Sequence, residues 1–145
     1  MATNERFMPV AATAVWDSLA DACGYGYWVV GSRLIRDADP GWPAPGTRFH
    51  YTIGVGPIKV SDHTEALDAE PPRLLRLRTK ARPLGTATVT MELMPTDGGT
   101  VVRMTESPAG LTAWLSLNPL LHLVTKARNA ESLARLEELA IRRAG

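Results

Sequence analysis

Two carboxylates and two proton donors carry whatever acid/base chemistry this chain can do. Asp62 shares its strand phase with Val60, and Glu106 shares phase with Val102 and Met104, so phase alone allows either carboxylate to face the interior. Desolvation there raises the pKa of a carboxylic acid. Such a group could remove a proton beside a carbonyl while His122 or Tyr51 donates to the oxygen, the chemistry that a cyclisation or dehydration needs.

Other chemistries lack their residues. His50, His63 and His122 are too scattered for metal-ligand spacing, and Cys23, the single cysteine, adds little, so no metal site is expected. Gly24-Tyr-Gly26 and Gly54-Val-Gly56 do not complete a phosphate-binding fingerprint and read as turns, so no cofactor is implied. There is no Gly-x-Ser-x-Gly, and strand alternation sends Asp62 and His63 to opposite faces, which argues against a hydrolytic dyad.

The elements that must position these groups follow from periodicity. Arg6 to Val10 reads as a short first strand, and Ala11 to Ala22 as a helix with Val15, Trp16 and Leu19 on one side, ended by Gly24 and Gly26. Trp28 to Asp39 reads as a strand before a stiff Pro/Gly turn carrying Trp42. Thr47 to Ile53 places Phe49 and Tyr51 on one face. Lys59 to Ala69 has no cleanly apolar face. Leu75, Leu77, Thr79 and Ala81 alternate with Arg76, Arg78, Lys80 and Arg82. Thr86 to Leu93 and Thr100 to Ser107 are joined through Asp97-Gly98-Gly99 as an antiparallel pair. Phe49, Tyr51, Leu77, Met91 and Met104 are inward candidates on these strands, either as plain core or as a cavity lining.

From Asn118, an N-cap, with Pro119 at the first helical position, the chain reads as one helix to about Arg143. Leu133, Leu136 and Ala140 form a stripe that continues backwards as Asn129, Lys126 and His122, so polar groups extend an apolar face. Leu120, Leu123, Val124 and Ala127 lie nearly opposite, which predicts either a first half covered on two sides or a kink. The polar stripe reads equally as His122 and Asn129 turned into a ligand cavity or as a solvated or subunit-facing surface. Trp28, Trp42 and Trp114 lie near predicted loops or helix ends and are gate candidates, Trp114 in the segment before this helix the best of them, although large aromatics more often anchor by packing.

Bulk properties bound the rest. At 145 residues the chain is expected to form one domain, 1–145, burying roughly 70% of its unfolded surface. A formal charge of +1 favours neither nucleic acid nor an anionic membrane, and the Arg76-to-Arg82 stripe reads as a solvated outer face. Neither a signal peptide nor a membrane-length apolar run is present, so no stable membrane insertion and a cytoplasmic location are expected; a homodimer stays open.

In the order of these elements the sequence resembles the START-like, helix-grip superfamily, specifically its bacterial polyketide cyclase/dehydrase-like branch. The residues that carry the resemblance are Val15-Trp16, Tyr27-Trp28-Val29-Val30, Trp42-Pro43 through Pro45-Gly46-Thr47-Arg48-Phe49, Glu70-Pro71-Pro72-Arg73 and Arg128-Asn129 through Leu133. The resemblance implies an α+β fold in which a curved antiparallel β-sheet wraps around the long C-terminal helix, with an internal cavity between them. It implies no catalytic residue, because no shared catalytic motif matches this chain.

The expectation is therefore a protein that binds a hydrophobic or amphipathic small molecule of lipid, polyketide or aromatic type. The cavity candidates are Phe49, Tyr51, Asp62, Leu77, Met91, Met104, Glu106, Trp114, His122 and Asn129. A cyclase or dehydratase built on the acid/base residues, and a protein-interaction or lipid-chaperone module docking through the basic stripe or Leu120 to Val124, are the alternatives.

Overall fold

A computed structural model of the chain describes residues 2–29, 34–55, 57–81, 85–109 and 118–144. Strand β1 (Ala2–Met8) leads into helix α1 (Ala12–Leu19), a 3-10 turn (Ala22–Gly24) and a single helical turn α2 (Tyr25–Trp28). Six strands follow: β2 (Leu34–Ala38), β3 (Arg48–Val55), β4 (Ile58–Glu70), β5 (Leu74–Ala81), β6 (Gly85–Thr96) and β7 (Gly99–Ala109). Helix α3 (Pro119–Ala144) closes the chain. All seven strands form one antiparallel sheet in the order β1-β7-β6-β5-β4-β3-β2, so β2 to β7 meander and β1 returns to pair with the last strand. The sheet is curved and grips α3, which gives the helix-grip α+β fold.

The core explains why α3 sits where it does. Leu133 and Ala140 are buried with Leu136, and they meet Leu75, Met91, Leu93 and Val102 from the sheet and Val15 and Leu19 from α1 in one cluster. The start of α3 is set locally by the Asn118 side chain, whose Oδ1 accepts from the Leu120 amide at 2.9 Å. The opposite apolar stripe is not covered on two sides: among the described residues Leu120 is 67% exposed, Leu123 63% and Val124 56%. The helix runs unbroken from Pro119, so the change of burial direction reflects which half of α3 meets the sheet.

Three sequence expectations shift in the first third of the chain. The first strand is Ala2–Met8, paired along its whole length with β7, and not Arg6 to Val10. Helix α1 stops at Leu19 and does not run on to Ala22. The Leu19 carbonyl is taken by the Tyr25 hydroxyl at 2.8 Å and the Trp42 indole N–H at 3.1 Å, donors from later in the chain that the helical period does not announce. Trp28 does not open a strand but ends α2, and β2 begins only at Leu34.

The unclean alternation of β4 also has a cause. Val60, Asp62, Thr64 and Ala66 are buried as one face, and then the register slips: Ala66 pairs with Leu77 but Asp68 with Arg76, leaving Leu67 as the extra residue of a bulge. The inward phase therefore passes from Ala66 to Ala69, opposite Leu75.

On the outer face the basic residues alternate with acids. Arg76 of the cationic stripe reaches Asp68 at 2.5 Å, and beside it Arg48 reaches Glu65 at 3.4 Å and Arg103 reaches Glu5 at 3.4 Å. Among the described residues no helix is long and apolar enough to cross a membrane.

Candidate functional site

Between α3 and the inner face of the sheet lies a hollow with a volume of about 280 Å³. The strands contribute Phe49, Tyr51, Leu77, Val89 and Met104, while α2 contributes Tyr25 and Trp28. Asn129 and Ser132 of α3, with Arg128, form the facing wall. Tyr25, Trp42, Phe49 and Tyr51 stack into one aromatic run, with ring centroids 4.7 Å apart for Tyr25–Phe49 and 5.8 Å for Phe49–Tyr51. Burial holds the Tyr25 phenol well above its ordinary pKa, which keeps it a neutral donor to Leu19.

Tyr51 has a structural task at this wall. The β4/β5 ladder pairs Thr64 with Thr79 and goes no further in that direction. There the Tyr51 hydroxyl accepts from the Lys80 amide at 3.1 Å and donates toward the Lys80 carbonyl, with the His63 carbonyl 3.3 Å away. A side chain thus stands in for the missing ladder bonds, and its polar end is turned into the sheet.

Glu106 and α3 are joined across the cavity edge. Arg128 Nη2 lies 2.8 Å and 2.9 Å from the two Glu106 carboxylate oxygens, and it donates to Asn129 Oδ1 at 3.3 Å. Glu106 is therefore an ion-paired carboxylate and not the lone, desolvated acid that strand phase implied. Asn129 is 1% exposed, and its Nδ2 has no partner among the described residues. The same holds for the indole Nε1 of Trp28, also 1% exposed.

The structure brings Phe49, Tyr51, Leu77, Met104, Glu106 and Asn129 together on the cavity wall. Three other candidates lie elsewhere, and each has a geometric reason. Met91 is buried further along β6, between Leu75 and Met104 as cross-strand partners, in the hydrophobic core and outside the described lining. Asp62 is buried on the inner face opposite Tyr51 but falls beyond the point where β4 and β5 part, outside the described lining. His122 is half-buried, seven residues and so roughly 10 Å before Asn129 along the helix axis, past the wall. Trp114 lies outside the described residues. The acid/base group read from the sequence is thus not assembled: Glu106 is paired, Tyr51 is turned into the sheet, and Asp62 and His122 are off the wall.

The sequence does not single out Tyr25 as lining, offers Trp28 only as a gate candidate, and does not announce the tie from Arg128 to Glu106. The i,i+3 spacing of Tyr25 and Trp28 was the available signal, since it places both rings on one side of a helical turn.

His63 sits behind this wall. Its amide donates to Asp62 Oδ1 at 2.9 Å, and its Nδ1 is 3.5 Å from the same oxygen, so the neighbours do touch despite opposite strand phase. His50 lies on the paired strand, ring centroids 5.7 Å apart, and Lys80 Nζ is 3.3 Å from Nε2. Burial first, then Lys80 and Arg48, push the imidazole below its ordinary pKa, against the opposing pull of Asp62. The folded state then binds the proton less readily than the unfolded chain. The stability this contributes is complete above the unfolded value of about 6.5 and is lost as pH falls through and below it. Stability measured by urea at pH 7.5 and at pH 5.5 is expected to drop less in His63→Gln than in the unmodified chain; an equal drop would remove His63 as a cause.

Comparison with known proteins agrees with this architecture. Residues 2–140 match the family model described as polyketide cyclase / dehydrase and lipid transport, and the chain belongs to that family. No curated protein matches the sequence. Among solved structures, the Zhui aromatase/cyclase from a Streptomyces species superposes with a TM-score of 0.75 at 17% identity, covering 99% of this chain and 94% of that one. A protein of unknown function from Staphylococcus aureus gives 0.76 at 8% identity, covering 97% and 93%. A Nitrosomonas europaea protein gives 0.72 at 20% identity, covering 97% and 93%. At these identities the likeness is one of fold.

Proposed function

We infer that the protein binds a hydrophobic or amphipathic small molecule between its sheet and α3. The observation that carries this reading is the hollow of about 280 Å³ between the sheet and α3, walled mostly by aromatic and aliphatic side chains. A dry cavity of about 150 Å³ holds one benzene, so this space suits a molecule of about two fused rings or a short acyl chain of similar bulk. The polyketide cyclase / dehydrase and lipid transport family and the aromatase/cyclase neighbour support ligands of that kind.

Binding is favoured over turnover because the acid/base residues do not converge on one point of the wall. Native mass spectrometry of gently purified protein, followed by denaturing extraction, tests the reading. An adduct of one small apolar molecule per chain, or saturable one-to-one binding of the two-ring hydrocarbon tetralin by calorimetry, is expected. A bare chain mass together with no binding of tetralin would sink it.

A further inference from the structure

The end of β5 parts from β4 where both border the cavity. The β4/β5 ladder stops at Thr64 and Thr79, while β5 runs on beside β6 through Lys80, and Thr79, Lys80, Thr86 and Ala87 line the hollow. Lys80 is held across this gap from both sides of the sheet. On the inner side the Tyr51 hydroxyl accepts from its amide at 3.1 Å. On the outer side its Nζ lies 3.3 Å from His63 Nε2. An ammonium has only donors, so Nε2 must be the acceptor, and the proton of the neutral ring sits on Nδ1, 3.5 Å from Asp62 Oδ1. That lone pair exists only while the imidazole is neutral. A second ring proton makes Nε2 a donor facing a donor, with like charges in contact.

The charged groups around His63 add to that repulsion. Arg48 and His50 face it on β3, Asp62 and Glu65 flank it on β4, and Arg78 and Lys80 lie on β5, with Asp37 of β2 beyond His50 in the same row. Glu65 is taken by Arg48 at 3.4 Å and stands opposite Arg78 in register, which leaves Asp62 as the near counter-charge. Burial first, then Lys80 and Arg48, hold the imidazole below its ordinary pKa of 6.5.

We propose that Lys80 is a pH-sensitive clasp on the cavity wall: with His63 neutral it ties the end of β5 to β4, and when His63 takes a proton the clasp opens and a bound apolar molecule leaves faster. This rests on the binding reading above and adds a condition for release. His63 is outside the described lining, so it acts through Lys80 as a positioning residue. The clasp is closed above the ordinary imidazole pKa of about 6.5 and is lost as pH falls through and below it. What is lost is one hydrogen bond, with those of Tyr51 left in place, so release quickens by about fivefold while the fold persists.

The test is the dissociation rate of naphthalene, a fluorescent two-ring hydrocarbon with no titrating group, followed by stopped flow from the loaded full chain into excess cyclodextrin at pH 7.5 and at pH 5.0. The rate is expected to rise about fivefold at the lower pH, with the circular dichroism of the chain unchanged. His63→Gln keeps an acceptor for Lys80 and cannot take the proton, so it is expected to release at the slow rate at both pH values. Lys80→Met removes the ammonium and keeps the backbone bonds to Tyr51, so it is expected to release at the fast rate at both. An equal rate at the two pH values in the unmodified chain, with naphthalene bound at both, overturns the clasp and leaves the cavity reading intact. Acceleration that survives in either variant overturns it too, because another group would then be titrating, as does acceleration accompanied by loss of the native dichroism, which is unfolding. No binding of naphthalene at pH 7.5, together with a bare chain mass, overturns both readings.

Discussion

Replacing Gly99 by alanine is expected to lower the thermal midpoint by roughly 10 °C, since the site is the tightest fit for an added methyl among the described glycines. Gly99 opens β7 where it runs beside the end of β1, and a Cβ there would collide with the Met8 carbonyl oxygen. It would also lie 2.9 Å from Phe7 Cζ and 3.0 Å from Pro9 Cα. The obstacle is backbone, so no rotamer change relieves it, and the strand that closes the sheet must move away. Overpacking against a fixed neighbour costs about 3 kcal/mol, which for a chain of this size corresponds to that shift in midpoint. Gly98→Ala, one residue earlier, has open space around its Cβ but a φ of +81°. It should lose only about 1 kcal/mol, through backbone strain. A Gly99→Ala protein that melts within 2 °C of the unmodified chain, on the order of measurement error beside the expected loss, would mean that β1 does not lie against β7 as described.

Leu136→Ala is the second large loss, about 3 kcal/mol by urea unfolding, with an unchanged denaturant slope. Leu136 is 0% exposed and stands at the centre of the α3 stripe that the sheet grips. Leu123, on the same helix but 63% exposed, provides the contrast: its alanine variant should stay within about 0.5 kcal/mol. Equal effects at the two positions would contradict the burial pattern of α3.

These residues also mark how far the sequence could be read. The α3 stripe and the alternation of Leu75 and Leu77 with Arg76 and Arg78 were legible, because one face of each element is apolar and the other charged, and the period then fixes which side is buried. The bulge at Leu67 was not, since inserting one residue breaks the alternation that would reveal it. Nor was the end of α1, which depends on Tyr25 and Trp42 reaching Leu19 from later in the chain. For the site, strand phase placed Phe49, Tyr51, Leu77, Met104 and Glu106 on the inner face correctly. Phase carries no information about how far along the face the hollow extends, so Met91 and Asp62 share that face and still lie off the wall. Helix phase had the same limit for His122, which shares a stripe with Asn129 two turns away. The Glu106–Arg128 contact joins residues on different elements and has no signature in either.

The placement of Tyr51 makes the cavity and the sheet a single mechanical object. Its ring is part of the wall that a ligand would touch, while its hydroxyl closes the gap where β4 and β5 diverge. Widening the hollow at Tyr51 to admit a bulkier ligand therefore also unfastens two strands. Redesign of the cavity is better directed at Val89 or Met104, whose side chains line the space without holding the backbone together.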